Sequence, residues 1–485
     1  MSSKRKTTIW IVSVVAVLAV LGIVAGRVAE KRIRTSLSSI PGAEINPGKL
    51  HVSVFPGNIE LKDVEFATHD STKAGPDIQG SVKALKLNGL RWRKLHKKEI
   101  SFSELKIEGC TLDGMVGNAD ISLKNFGYRF SDSLVVYNDS IYSFSLDSLD
   151  FVTKDGLTRI KVAHIEQANA GPVAAQGMHI YNDVPEEQLA IKMGKTAAVW
   201  IDLTLDTLKT SAVKIPALIQ SKSVDLESIS VSGPKAVIFQ DDRYPPKGPY
   251  PTIQESINAM GLPVRIDTLS AQFDSFKFIW ETTHINRGTF PMQHVHLKLT
   301  SVGNAPGNVM GVSLRTGLPG KSRMNLTAGI HNNKEETVNG RFIIETLDAT
   351  KLDEFLRPLF GATLRADIHK AEGTFNGNKS KMNAHFEMLY DNLEVHAWND
   401  SNAPYKIVAN NSGIVNFLAN LFLPKSNPSI SGEDPKTVEF SYDRDVKTPY
   451  TAYLIQNVTY GMFHTILPDH VVKAVDQTSQ PKPKK

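Results

Sequence analysis

Apolar residues recur along this chain at offsets of 0, 2, 5 and 7. The pattern reads Ile59, Leu61, Val64, Phe66; then Leu85, Leu87, Leu90, Trp92; then Ile100, Phe102, Leu105, Ile107; then Phe144, Leu146, Leu149, Phe151. It returns as Val224, Leu226, Ile229, Val231 and, more weakly, as Val264, Ile266, Leu269, Ala271. Steps of two mark a strand with one buried face, because successive side chains point to opposite sides. The step of three shifts the phase. It flips the buried face unless a bulge or tight bend absorbs the extra residue, and bulges bend a strand and raise its twist. Repeated in this way, the pattern predicts a mainly β chain: a long, twisted, curled antiparallel sheet. Turn signals punctuate it at Phe55-Pro56-Gly57-Asn58, Asn88-Gly89, Lys154-Asp155-Gly156 and Asn376-Gly377-Asn378. The spacing is too irregular for a strict repeat.

Helical periodicity is sparse. Thr252-Ile253-Gln254-Glu255 is a capping-box start, with Ile253, Ile257 and Met260 on one face and Gly261 as a stop. It follows the proline-dense Tyr244 to Pro251, the best candidate for a linker. A second helix carries Leu352, Phe355, Leu356, Leu359 and Phe360 on one face, shortened or kinked by Pro358. A third repeats that spacing with Ile414, Phe417, Leu418, Leu421 and Phe422 before Pro424. Three short helices cannot cover so many half-apolar strands. The sheet therefore covers itself as a sandwich or barrel, or it forms an open groove whose apolar wall receives a hydrophobic ligand.

The N-terminal region carries a different signal. Residues 9–26, IWIVSVVAVLAVLGIVAG, hold no charge and are flanked by Lys4, Arg5 and Lys6 before and Arg27, Lys31, Arg32 and Arg34 after. As a helix this run spans about 27 Å, close to the hydrocarbon thickness of about 30 Å. The competing reading is a cleaved signal peptide ending near Val24-Ala25-Gly26, but the apolar run exceeds the usual length of about 7 to 15 residues. Either reading exports the following domain. Basic residues on both sides leave little contrast for orientation, and the short leading tail favours a cytoplasmic N-terminus.

Composition narrows the chemistry. With 41% hydrophobic and 22% charged residues over 485 positions, the chain is ordinary for a folded protein. The balance of 55 basic and 50 acidic residues does not favour a nucleic-acid partner. The single cysteine, Cys110, excludes an intramolecular disulfide and reads as a small apolar strand residue.

Enzymatic motifs are missing from the sequence: no HExxH, no GxSxG and no GxGxxG after a strand. Gly317 to Ser322, GLPGKS, lacks the first glycine of a phosphate-binding loop, which would fall at Arg315. His294 and His296 share a strand face without a third metal ligand nearby. No catalytic, cofactor-binding or metal-ligating residue is therefore expected. Arg91, Arg93, Lys94, Lys97 and Lys98 surround Trp92 in the densest basic patch outside the anchor flanks. It reads as a charged strand end and turn, or as a candidate membrane-surface cluster suited to lipid headgroups.

The chain resembles the AsmA-like superfamily of Gram-negative envelope proteins, the group of AsmA, TamB and YhdP, and relatives from Bacteroidetes in particular. The resemblance rests on the anchor followed by LHVSVFPGNIELKDVEF and VKALKLNGLRWRKLHKKEISFSELKIEGCTLDG, and on GTFNGNKSKMNAHFEMLYDNLEVHAWND and VEFSYDRDVKTPYTAYLIQNVTYGMFHTI near the C-terminus. It implies a twisted sheet forming an open groove with an apolar interior, anchored in the inner membrane, lying in the periplasm and moving phospholipid in outer-membrane homeostasis. This chain is short beside the largest members and would not span the periplasm alone.

The expected organisation is an anchor with flanks over 1–35, the N-terminal part of the β domain over 36–243, a linker over 244–251, the C-terminal part over 252–475 and a basic tail over 476–485. The expected groove wall is Ile59, Leu61, Leu85, Leu87, Ile100, Phe102, Leu105, Ile107, Phe144, Leu146, Val224 and Leu226, with the facing strand phase left open. The expected partners are phospholipid and envelope proteins. The alternative is an assembly factor that carries no lipid and works through edge-strand pairing.

Overall fold

The computed structural model describes residues 43–53, 58–68, 78–89, 91, 99–112, 119–129, 134–137, 143–153, 155–169, 171–213, 223–282, 287–360, 362–397, 423–430 and 432–466. The anchor segment 9–26, the helix expected over 414–422 and the basic tail lie outside them. Among the described residues no helix is long and apolar enough to cross a membrane. The chain is mainly β, built on open, uncurled sheet with few short helices. It divides into two compact units: described residues up to Asp183 with Leu205–Ser221, and Val184–Thr204 with those from Lys222 onward.

The first unit is an antiparallel meander of β1 (Ala43–Ser53), β2 (Asn58–Thr68), β3 (Ile78–Asn88), β5 (Glu104–Leu112), β6 (Ala119–Lys124), β9 (Ser143–Val152), β10 (Thr158–Ala168) and β11 (Pro172–Asn182), paired in that order. The short β4 (Glu99–Ser101), β7 (Phe126–Arg129) and β8 (Leu134–Tyr137) form a separate three-stranded sheet. Ile100 therefore leaves the wall in which the sequence pattern put it, pairing with Tyr128 on β7. The pattern Ile100, Phe102, Leu105, Ile107 is split because the chain turns at Phe102-Ser103 between two sheets.

The step of three has a local cause. Asp63 on β2, Gly109 on β5, Ser148 on β9 and Gly177 on β11 have φ of 54°, 62°, 58° and 59°, a left-handed backbone inside a strand. Pairing resumes in the same register on either side: Lys49 pairs with Lys62 and Pro47 with Val64, leaving Gly48 opposite Asp63. Likewise Ala84 pairs with Glu108 and Val82 with Cys110, around Lys83 and Gly109. An ordinary bulge sets two residues against one and bends the strand. At these pairings, and likewise at β9–β10 and β10–β11, one residue faces one; only between β5 and β6 does the first-unit register shift, between Ile107 and Cys110. This overturns the expected curling, which assumed an unmatched bulge in every strand.

The left-handed residue also returns the next apolar side chain to the buried face. Ile59, Leu61 and Val64 are all buried, while Lys62 and Asp63 between them are exposed.

The second unit contains β13 (Val224–Asp242) and β14 (Val264–Thr282), paired in parallel from Val224 with Val264 to Asp242 with Thr282. Parallel neighbours need a crossover. It is made by the proline-rich 244–251 and a short helix, so the sheet is not wholly antiparallel as expected. β12 (Ala198–Ala212) contributes residues to both units. From β14 an antiparallel meander runs through β15 (Gly288–Gly303), β16 (Val309–Leu318), β17 (Ser322–His331), β18 (Val338–Asp348), β19 (Ala362–Gly377), β20 (Lys381–Ala397) and β21 (Thr437–Asp443). Asp242 fastens the crossover. Its carboxylate accepts from Gln240 Nε2 at 2.6 Å, Tyr250 Oη at 3.1 Å and Trp280 Nε1 at 2.9 Å.

Four α-helices lie among the described residues of this unit: α1 (Glu186–Lys192), α2 (Ile253–Asn258), α3 (Asp353–Phe360) and α4 (Tyr450–Ile466). The capping box forms as expected, Glu255 N donating to Thr252 Oγ1 at 3.0 Å and Thr252 N to Glu255 Oε2 at 2.9 Å. Its buried face is Gln254 and Ile257, whereas Met260 is 58% exposed. The longest helix, α4, packs on β20, with Gly461 so close to Phe386 that a Cβ there would lie 2.4 Å from the ring. Tyr453 Oη donates to Asn378 O at 3.1 Å and Lys436 Nζ to His464 O at 3.1 Å, fixing both ends.

Gly109→Ala tests the matched slip. A Cβ there would meet Lys83 Cβ at 2.9 Å in a left-handed backbone, so unfolding stability falls by about 1–2 kcal/mol. Asp63→Gly, which relieves the same strain on β2, leaves the urea midpoint unchanged or raises it.

Candidate functional site

In the first unit, cross-strand pairs build two apolar rows. One runs Ile59–Leu87–Leu105–Leu123–Phe144 and the other Leu61–Leu85–Ile107–Ile121–Leu146–Ile165. Beyond the slip the same face continues as Val64–Val82–Cys110 on one side and Leu149–Val162–Met178 on the other. Cys110 is thus a buried apolar member of the row, and burial pushes its thiol up. Gln167, opposite Phe144, ends the first row; its amide donates to Gly171 O at 2.7 Å and to Val213 O.

Burial grades along the rows. Leu61, Leu87 and Leu105 are 0%, 1% and 3% exposed, and Ile59, Leu85, Phe102 and Ile107 are buried with them. From β6 onward Ile121, Leu123, Phe144, Leu146, Leu149, Ile165 and Met178 are only half-buried, while Val162, between Leu149 and Met178, is 3% exposed. A contiguous, partly exposed apolar face of this kind is what a soluble monomer rarely leaves without a use. Val224 and Leu226 stand elsewhere: they lie on β13 in the second unit, against Val264 and Ile266. Sequence periodicity put all these residues in one candidate wall with its phase left open, and the pairing separates them into units.

The opposite side of the first-unit sheet is charged and internally paired. Lys86 Nζ donates to Glu108 at 2.7 Å, which raises the lysine pKa. Arg159 grips Asp150 through two hydrogen bonds, at 2.7 and 2.8 Å, and this holds the carboxyl below its usual range. His164 hydrogen-bonds to Asp147 and lies 3.4 Å from Glu166, and these carboxylates raise its pKa. Arg91 is exposed, with Nη2 donating to Asn125 Oδ1 at 3.3 Å. Trp92, Arg93, Lys94, Lys97 and Lys98 lie outside the described residues.

The second unit repeats the arrangement. Leu269–Leu299–Val312–Ala328 and Ala271–Leu297–Leu314–Leu326 are half-buried rows across β14 to β17. The second row continues through Phe342, Gly373 and Phe386, where the face becomes fully buried and α4 covers it. Gly373 leaves room for the ring of Phe342, which lies 5.9 Å from that of Phe386. Each unit thus has one end of its apolar face covered and another half-open. Among the described residues no group of three or more His, Cys, Asp or Glu is placed to hold a metal ion.

No family model matches this chain, and no curated protein matches it.

Two measurements probe the face and its reverse side. Leu61→Ala removes a fully buried side chain and costs about 2–5 kcal/mol, whereas Leu146→Ala, half-buried, costs clearly less in the same urea titration. For His164, a folded pKa raised above 6.5 means that its stabilisation is complete below pH 6.5 and is lost as pH rises through the raised value. His164→Gln therefore narrows the stability difference between acidic and alkaline buffer; an unchanged difference contradicts the assignment.

Proposed function

We propose that this chain is an AsmA-like envelope protein, anchored in a bacterial inner membrane by residues 9–26, that handles phospholipid on its apolar β face in the periplasm. The observation that carries the reading is the partly exposed ladder of apolar pairs over β6, β9 and β10, with Phe144, Leu146 and Ile165 at its centre. Acyl chains lie along this open face and not inside a curled trough. Each methylene removed from water contributes about 0.8 kcal/mol, so contact over ten methylenes offers on the order of 8 kcal/mol before ordering costs. Binding of this sort needs wall area and few specific side chains, consistent with a sequence that shows no catalytic motif. The uncharged segment at 9–26 would place the protein beside its lipid source.

The test is lipid content. Full-length protein extracted from membranes in mild detergent carries phospholipid by native mass spectrometry, and Leu146→Asp with Ile165→Asp removes it while circular dichroism is unchanged. A folded wild-type chain free of lipid refutes the proposal and favours an assembly role. In parallel, replacing Arg91, Arg93, Lys94, Lys97 and Lys98 by Gln weakens flotation with anionic liposomes; unchanged flotation removes that cluster from the membrane surface.

A further inference from the structure

We infer that the second unit carries a phosphate-binding cleft at β15, β16 and β17, whose charged side chains alternate along the strands with Leu314 and Leu326 of the apolar row. A cavity of about 900 Å³ is lined there by His294, His296, Arg315, Lys321, Arg323 and a single acid, Glu345, among others. Three permanent cations and two imidazoles thus meet one carboxylate. Arg315, Lys321 and Arg323 are exposed, and no side-chain hydrogen bond or ion pair engages them among the described residues. The contrast within the unit is sharp: Arg243 holds Asp241 at 2.8 Å, Arg265 holds Asp267 at 3.0 Å and Arg341 holds Glu372 at 2.7 Å.

Strand register explains why these groups converge. His296 is opposite Arg315, which is opposite Asn325, and Gln293 is opposite Gly317, which is opposite Arg323. Strand alternation puts residues 315 and 317, and residues 323 and 325, on the same side. Gly317 lies between Gln293 and Arg323 and fills none of the space, leaving a gap flanked by two guanidinium groups. The pairing of β15 with β16 shifts between Gln293 and His296, beside His294 with φ of 49°. Such an irregularity re-aims neighbouring side chains. Lys321 enters from the three-residue turn Pro319-Gly320-Lys321, where φ is +82° at Gly320 and 69° at Lys321.

The segment Gly317 to Ser322 is therefore a β-hairpin and not a strand-to-helix phosphate loop, and its lysine serves the site as part of a side-chain cradle. Two arginines and a lysine, with the amide of Asn325 among the lining groups, suit a tetrahedral oxyanion: guanidinium groups offer paired donors in a fixed fork, and the lysine adds a point charge. The ligand is a phosphate ester or free phosphate; a lipid headgroup presents the same chemistry as a soluble phosphate. This inference does not depend on the lipid proposal.

The test uses full-length protein in mild detergent, titrated calorimetrically with inorganic phosphate and with glycerol 3-phosphate, and separately incubated with vesicles of phosphatidic acid in phosphatidylcholine. Binding of the soluble ions, weakened about tenfold or more by Arg315→Gln and again by Arg323→Gln, supports the site and a soluble ligand. Binding to phosphatidic acid vesicles alone, lost in the same variants, supports it with a headgroup as ligand. Lys277→Gln, an exposed lysine outside the cleft, leaves either unchanged. If an arginine variant loses its fold by circular dichroism, Lys321→Gln gives the same readout from the turn. No binding of any of these probes, or binding that neither the arginine nor the Lys321 change weakens, overturns the inference.

Discussion

The structure depends on one backbone device, a left-handed residue placed inside a strand and matched across the pairing by a residue of the neighbour. Asp63, Gly109, Ser148 and Gly177 occupy it in the first unit, and Ser301, with φ of 53°, does so on β15 in the second; His294, with φ of 49°, is matched toward β14 but lies at a register shift toward β16. A strand that simply alternated would turn Val64, Cys110 and Leu149 to the charged side. The left-handed residue restores them to the apolar side, and the one-for-one match holds the register across the pairings β1–β2, β3–β5, β9–β10 and β10–β11, whereas β5–β6, β15–β16 and β19–β20 each shift it. Strain of this kind in non-glycine residues costs on the order of 1–2 kcal/mol each. It is offset by the apolar surface that the restored phase buries, at about 25 cal/mol per Å².

Two consequences follow for function. A sheet whose faces stay sorted over many strands has a continuous apolar side and a continuous polar side. The apolar side is covered at one end of each unit and half-open at the other, which is the basis for proposing that it receives acyl chains. The polar side is stitched by pairs such as Arg159 with Asp150 and Arg341 with Glu372, whereas around Arg315, Lys321 and Arg323 several cations meet one carboxylate, Glu345, which lies across the strands from Arg323.

Much of this was legible in the residues. The offsets 0, 2, 5 and 7 located strands, and Asn88-Gly89, Asp155-Gly156 and Asn376-Gly377 located turns or strand ends, because glycine and asparagine tolerate the backbone those places require. The capping box at Thr252 was equally clear. Phase along a strand says nothing about which strand lies next, so the parallel pairing of β13 with β14 and the departure of Ile100 to the small sheet were hidden. The curl was misjudged because a step of three looks the same whether its extra residue is unmatched or matched by a partner far away in sequence. The helix α4 escaped because its buried stripe is Tyr450, Tyr453, Asn457, Gly461 and Thr465, in which a small residue and two polar ones break the hydrophobic period. The phosphate cleft escaped because Arg315, Lys321 and Arg323 carry no motif; only strand register assembles them.

On the proposed reading, Phe144, Leu146 and Leu149 share one lipid-contacting face across the slip at Ser148. Its most direct test is a photo-crosslinking amino acid placed singly at residues 144 to 149 of the full-length protein in its native membrane, followed by mass spectrometry of the adducts. The prediction is phospholipid adducts from positions 144, 146 and 149 and none from 145 and 147. Adducts from 144 and 146 without 149 would contradict the matched slip, and an absence of phospholipid adducts at all three would contradict the lipid-bearing face itself.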